Sequence, residues 1–128
     1  MPSWIGPRKS CGRTNMGPDL GEFELIRRFF VRGDSARRNP SVLLGIGDDA
    51  ALVQVPQGAD LVVSVDSIVA GRHFPEGADA RSIGHRALAV NLSDMAAMGA
   101  MPAWATLALT MPSADSDWLE KFAAGFLD

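Results

Sequence analysis

The segment Ala87-Leu-Ala-Val-Asn-Leu-Ser-Asp-Met-Ala-Ala-Met-Gly-Ala-Met-Pro102 constrains this chain more than any other. Its small and apolar residues recur at helical spacing, and Gly99 followed by Pro102 supplies a C-terminal stop. Asp79 or Ser82 can cap the same helix at its start. Two polar side chains, Asn91 and Asp94, interrupt the pattern. Positions three apart on a helix share a face, so the amide and the carboxylate leave an apolar segment in the same direction. A carboxylate buried without a partner is costly, and no Lys or Arg lies within a turn of Asp94 on that face. A cation is therefore expected at Asp94, a metal ion first among the choices. Met95, Met98 and Met101, with Ala96, Ala97 and Ala100, are expected in the core, where small residues allow close helix packing. A Met-rich ligand groove is the alternative.

Composition narrows the function classes. At 128 residues the chain is long enough for one core and too short to expect two. A net charge of −3, from 12 Lys+Arg against 15 Asp+Glu, argues against a dedicated nucleic-acid binder. The basic cluster Arg27, Arg28, Arg32, Arg37 and Arg38 is explained by a helix end running into a loop. Cys11 is alone, so neither a disulfide framework nor a cysteine zinc site is available. No apolar run approaches a membrane span, and the N-terminus lacks the apolar core of a signal peptide. A cytoplasmic protein without membrane or nucleic-acid partners is expected.

Residues 1–20 are rich in Pro and Gly and read as a disordered N-terminal extension, with Met16 an alternative start. From Gly21 the pattern is helical, with Phe23, Ile26, Phe29 and Phe30 on one face and Gly33-Asp34 as the stop. Val42 to Ile46 and Ala50 to Val55 are short strands joined by a tight turn. Asp60-Leu-Val-Val-Ser-Val-Asp66 is the clearest strand, and Ala103 to Met111 a further one. A last helix carries Leu119, Phe122, Phe126 and Leu127, with Asp117-x-x-Glu120 resembling a capping box. The chain stops inside that pattern, so residues 21–128 are expected to form one domain, incomplete at its C-terminus. The fold class is α+β: a mixed, partly antiparallel sheet packed by two or three helices.

Three further acidic positions sit where a fold would rather not have them. Asp48 and Asp49 end the apolar strand at Gly45-Ile-Gly-Asp-Asp-Ala50, and Asp66 interrupts the third. Adjacent carboxylates repel unless a cation or a hydrogen-bond donor screens them. Hard oxygen ligands without His or Cys suit Mg²⁺, which takes one or two carboxylates together with phosphates and water. Ser64 shares a strand face with Asp66 and could add an oxygen. Singly, each has a plainer reading: Gly-Asp-Asp as a turn with side-chain hydrogen bonds, Asp66 as a strand-end cap or a partner of Arg72, and Asp94 as an acceptor for backbone N–H groups. His73, in the loop after Asp66, is either solvated or a donor to an anionic substrate. His85 reads as surface or packing. No Walker A motif or EF-hand loop is present.

Taken together, Gly21-Glu-Phe-Glu-Leu-Ile26, Gly45-Ile-Gly-Asp-Asp-Ala50, Ser64-Val-Asp66, Gly71-Arg-His-Phe-Pro75 and Ala87 to Ala100 closely resemble the N-terminal domain of the thiamine-monophosphate kinase family. That family belongs to the aminoimidazole-ribonucleotide-synthetase-like ATP-binding superfamily, and the resemblance runs from Gly21 to Asp128. It implies transfer of the γ-phosphoryl group of ATP to thiamine monophosphate, giving thiamine diphosphate, with Mg²⁺ as cofactor and a homodimer as the assembly. Carried over by position, Asp49, Asp66 and Asp94 would be Mg²⁺ ligands, with Ser64 assisting. The residue after Ser64 is usually Thr in the family. Val65 stands there and offers only a main-chain carbonyl. His73 would contact the thiamine phosphate, while Asp48 and Asn91 would stand behind the ligands. The family's downstream Gly-Gly-Asp segment and C-terminal domain are not in this sequence, so little turnover is expected from these residues alone. The rival readings are another enzyme of the superfamily, such as a selenophosphate synthetase or a hydrogenase-maturation protein, and a non-catalytic dimerisation module.

Overall fold

The computed structural model describes residues 21–31 and 39–128. The expected N-terminal extension, Met16, Cys11, and the loop containing Gly33, Asp34 and three of the clustered arginines lie outside the described residues. The chain is α+β, and its described residues form two short strands and three helices, in the order α1, β1, β2, α2, α3.

Helix α1 starts at Glu22–Leu25 and widens into a π-turn over Ile26–Phe30, closed by Val31 N–H donating to the Ile26 carbonyl at 3.2 Å. The extra residue in that turn changes which side chains share a face. Phe29 is buried, whereas Phe23 is 66% exposed, so the expected single apolar face does not include Phe23.

Strands β1 (Val42–Leu44) and β2 (Leu52–Val53) pair antiparallel, as the tight connection predicts, with Val42 opposite Val53 and Leu44 opposite Leu52. Asn39 anchors the entry to β1. Its Oδ1 accepts from Ser41 N–H at 3.1 Å and its Nδ2 donates to the Ala103 carbonyl at 3.3 Å.

Two expected strands are not strands here. Asp60–Asp66 carries the β-branched composition and Ala103–Met111 is largely apolar, yet neither belongs to a ladder among the described residues. A strand is defined by a partner, and propensity cannot supply one. In the segment 61–69 the leucine and valine side chains are open to solvent, Val65 being 83% exposed, while Ile68 packs against the Ile83–Phe122 cluster.

Helix α2 (Ala80–Ala97) is the longest element. Asp79 caps it, accepting from the Ser82 N–H at 2.9 Å and the Ser82 hydroxyl at 3.0 Å. These bonds, the backbone one foremost, hold the Asp79 carboxyl below the usual aspartate range. A depressed native value means the capping contribution is present above the ordinary aspartate range and is lost as pH falls through the native value. Gly99 follows the C-terminus at φ 65°, as the sequence pattern predicts. Helix α3 (Ser116–Leu127) starts differently from expectation. Its cap is Asp115, which accepts from the N–H groups of Asp117 and Trp118, so the Asp117/Glu120 box is not used. Asp115 lies one position before the first helical residue, where a carboxylate reaches the free amides.

Where α2 crosses α3, neither helix has room for a side chain. A methyl group on Gly84 would lie 2.1 Å from the Phe122 carbonyl oxygen, and one on Gly125 would lie 1.9 Å from that of Arg81. Around this crossing Ala80, Ile83 and Phe122 form one buried cluster, and Phe29, Leu119 and Ala123 form a second. Phe30, Leu109 and Trp118 touch both clusters, and the Trp118 ring stacks on Phe122 with centroids 4.9 Å apart. Because the obstruction is backbone on both sides, Gly125→Ala must push the helices apart. The expected loss is about 1–3 kcal/mol, despite about 1 kcal/mol of better helix propensity. Urea denaturation checks this, and an unchanged or higher midpoint would contradict the close approach.

Candidate functional site

The polar residues of α2 meet the segment that precedes the Gly71 turn. The Ser64 hydroxyl donates to Asp94 Oδ2 at 2.7 Å and lies 3.5 Å from Asn91 Oδ1. Asn91 Oδ1 also accepts from the Asp66 N–H at 3.1 Å, while its Nδ2 donates to the Ala87 carbonyl at 3.0 Å. Four of the sequence-selected residues, Ser64, Asp66, Asn91 and Asp94, are thus joined in one network. Helical spacing sets the amide and carboxylate side by side, and Asp66 joins them through its main-chain N–H.

The surroundings of Asp94 differ from expectation. Asp94 is exposed rather than buried in an apolar segment, and its partner within the fold is the Ser64 hydroxyl. The Met-rich stretch is not core either. Met98 is 68% and Met101 91% exposed, with Ala96 and Ala97 exposed beside them; Met95 and Ala100 are half-buried. The apolar packing of α2 is concentrated at its N-terminal end, at Ala80, Ile83 and Gly84.

Asp48 and Asp49 stand apart from this network. Both are exposed, and Asp48 Oδ1 accepts from the Asp49 N–H at 2.8 Å in a turn after Gly47, which is the local reading of a Gly-Asp-Asp triplet. No hydrogen bond links them to Ser64, Asn91 or Asp94 among the described residues. The Asp66 carboxylate forms no ion pair with Arg72 among those residues, and the Val65 side chain faces solvent. No three His, Cys, Asp or Glu side chains of the described residues converge into a metal cage.

His73 is held by its own loop. The Val69 N–H donates to His73 Nδ1 at 3.0 Å, and the Val69 carbonyl accepts from the His73 N–H at 2.9 Å. Gly71, at φ 74°, makes the reversal possible, and its N–H donates to the Phe74 carbonyl at 2.8 Å. Phe74 packs against the Ile83–Phe122 cluster and fixes the loop to the core. A backbone N–H can only donate, so Nδ1 presents its lone pair and the neutral ring carries its proton on Nε2. No residue type in the sequence signals this, because the partner is a main-chain group. His85 is exposed, as one of its two expected readings has it.

A trough of about 2160 Å³ opens along Leu61–Val69, Met101–Met111 and α2, with Ser64, Asp66 and Asn91 in its wall. Small-molecule sites occupy roughly 300–1,000 Å³, so the trough is too large to be a single ligand pocket. Trp104 lines it, and its Nε1 is buried without a hydrogen-bond partner among the described residues. No helix of the described residues is long and apolar enough to cross a membrane.

Residues 47–128 match the family model described as AIR synthase related protein, N-terminal domain. The thiamine-monophosphate kinase of Escherichia coli (strain K12) is 53% identical over 108 residues, which are 84% of this chain and 33% of that protein. The enzyme of that name from Bacillus subtilis (strain 168) is 41% identical over 103 residues, 80% of this chain and 30% of its own length. That of Synechococcus elongatus is 52% identical over 81 residues, covering 62% and 25%. The chain spans about a third of the length of the curated relatives it matches.

The loop geometry of His73 makes a direct prediction. Two-bond ¹⁵N–¹H correlation at a pH where the ring is neutral should show the proton on Nε2 and a lone pair on Nδ1. A proton on Nδ1 would contradict the Val69 hydrogen bond.

Proposed function

The chain belongs to the AIR synthase related protein family, and we propose that it provides the N-terminal domain of a thiamine-monophosphate kinase, contributing part of a Mg²⁺–ATP site. The observation that carries this reading is the network uniting the Ser64 hydroxyl, the Asp66 peptide and the Asp94 carboxylate on one side of α2. The reaction transfers the γ-phosphoryl group of ATP to a phosphate oxygen of thiamine monophosphate, breaking the bond to the β-phosphate and forming thiamine diphosphate and ADP. Because the acceptor oxygen is already anionic, no strong base is needed, and the difficulty is to bring two anions together.

The donor set fits Mg²⁺ shared with phosphate. Asp66 and Asp94 supply carboxylates and Ser64 a hydroxyl, all hard oxygens, and few protein ligands leave room for phosphate and water. Bound there, Mg²⁺ would neutralise the phosphate oxygens and orient the polyphosphate. Asp49 belongs to the proposed ligand set by family position, with Asp48 beside it. Val65 would contribute no more than its carbonyl. His73, with its Nε2–H free to donate, would bind an oxygen of the thiamine phosphate.

The assembly we propose is a cytoplasmic homodimer. It is supported by the uncovered apolar side chains of Leu61, Val63, Val65 and Met101, and by two β-rich segments without ladder partners. Exposed faces of this kind mark interfaces, and the orphaned Trp104 Nε1 lies along the same trough.

Calorimetry with Mg²⁺–ATP tests the site. Supporting residues around metals typically account for about 10–100-fold in affinity. Removing a ligand by Asp94→Ala should therefore weaken binding by about tenfold or more. Equal, weak signals from the two proteins would remove Asp94 from the site and favour a dimerisation module without catalysis.

A further inference from the structure

We propose that Asn91 is the positioning residue of this site: its amide fixes the Asp66 peptide against α2 and thereby sets Ser64 and Asp66 in register with Asp94. The inference rests on the metal–phosphate reading of the site. It concerns a residue that would touch neither metal nor substrate.

The geometry allows no other assignment of the amide. The Ala87 carbonyl can only accept, so the group facing it at 3.0 Å is the NH₂. The Asp66 N–H can only donate, so the group facing it at 3.1 Å is the carbonyl oxygen. Aspartate would set an oxygen against the Ala87 carbonyl, and alanine or leucine would leave the Asp66 N–H unsatisfied. An amide of this length meets both requirements.

Asn91 is also the right kind of group for the task. Among the described residues, the stretch from Ser64 to Asp66 is hydrogen-bonded to α2 through Asn91 and Asp94 alone. Asp94 can accept from Ser64 at Oδ2 and still offer Oδ1 to a cation, so its one bond to the segment is shared with the ligand role. The Asn91 amide is neutral and its two bonds reach main-chain groups. It therefore holds the register of the two elements whatever Asp94 binds. Partners that orient ligands in this way typically account for about 10–100-fold of metal affinity.

The test uses ¹⁵N-labelled protein of all 128 residues, with Mn²⁺ as the probe. Amide exchange of Asp66 should be slow in the wild type and in Ser64→Ala, and fast in Asn91→Ala. Paramagnetic broadening of the Asp66 and Asp94 resonances should move to about tenfold higher Mn²⁺ in Asn91→Ala, with a thermal midpoint near that of the wild type. An Asp66 amide that exchanges freely in the wild type overturns the proposal whether or not the variant folds. Loss of protection in Asn91→Ala with an unchanged Mn²⁺ midpoint also overturns it. If the wild-type resonances do not respond to Mn²⁺ while Asp66 stays protected, the metal reading of the site fails, and the positioning role falls with it.

Discussion

At the crossing of α2 and α3 the two backbones touch with no side chain between them, because Gly84 and Gly125 face the carbonyls of Phe122 and Arg81. The buried clusters described above gather round that contact, and the remaining elements reach them. The π-turn brings Phe29 in from α1, and Phe74 brings in the loop that holds His73. With six buried apolar side chains, the described residues have a small core, and it is concentrated at one end of α2. The other end is only partly covered, with Asp94 and Met98 exposed. A helix fixed at its N-terminal half and open beyond can present polar groups in a set direction without burying them.

That division explains why Asp94 needs no charged partner in the fold. An exposed carboxylate bonded to one hydroxyl group carries no desolvation penalty of the buried kind. In the proposed site it stays open to a cation. The hydrogen bonds of Asn91 and Ser64 supply what exposure alone would not, a defined spacing between α2 and the Asp66 segment. In the kinase reading the chemistry asks for little more from these residues, since phosphoryl transfer depends mainly on positioning and neutralised charge.

Much of this was legible in the sequence, for reasons that differ by element. Helix α2 carried its limits as Asp79 and Gly99, whose chemistry is local. The antiparallel β1–β2 pair followed from two apolar runs and a short connection. The pairing of Asn91 with Asp94 followed from the helical period, whereas the Asp66 contact is a main-chain bond that no side-chain period encodes. The misreadings came from non-local facts. Asp60–Asp66 and Ala103–Met111 have strand composition, but a ladder requires a partner that composition does not identify. The Met-rich end of α2 looked like core because apolar spacing says which residues could be buried, not which neighbour buries them. The capping box at Asp117 failed by two residues because Asp115 competed for the same amides. The tether on His73 depends on a turn and main-chain bonds that residue types do not encode.

In the proposed site Asp66 and Asp94, held in register across two elements, ligate one cation together with phosphate. Anomalous diffraction at the manganese edge, from crystals grown with Mn²⁺ and a non-hydrolysable ATP analogue, addresses it directly. The account predicts a manganese peak bonded to both carboxylates, with phosphate oxygens completing its shell. A peak elsewhere, with Asp94 still bonded only to Ser64, would contradict it.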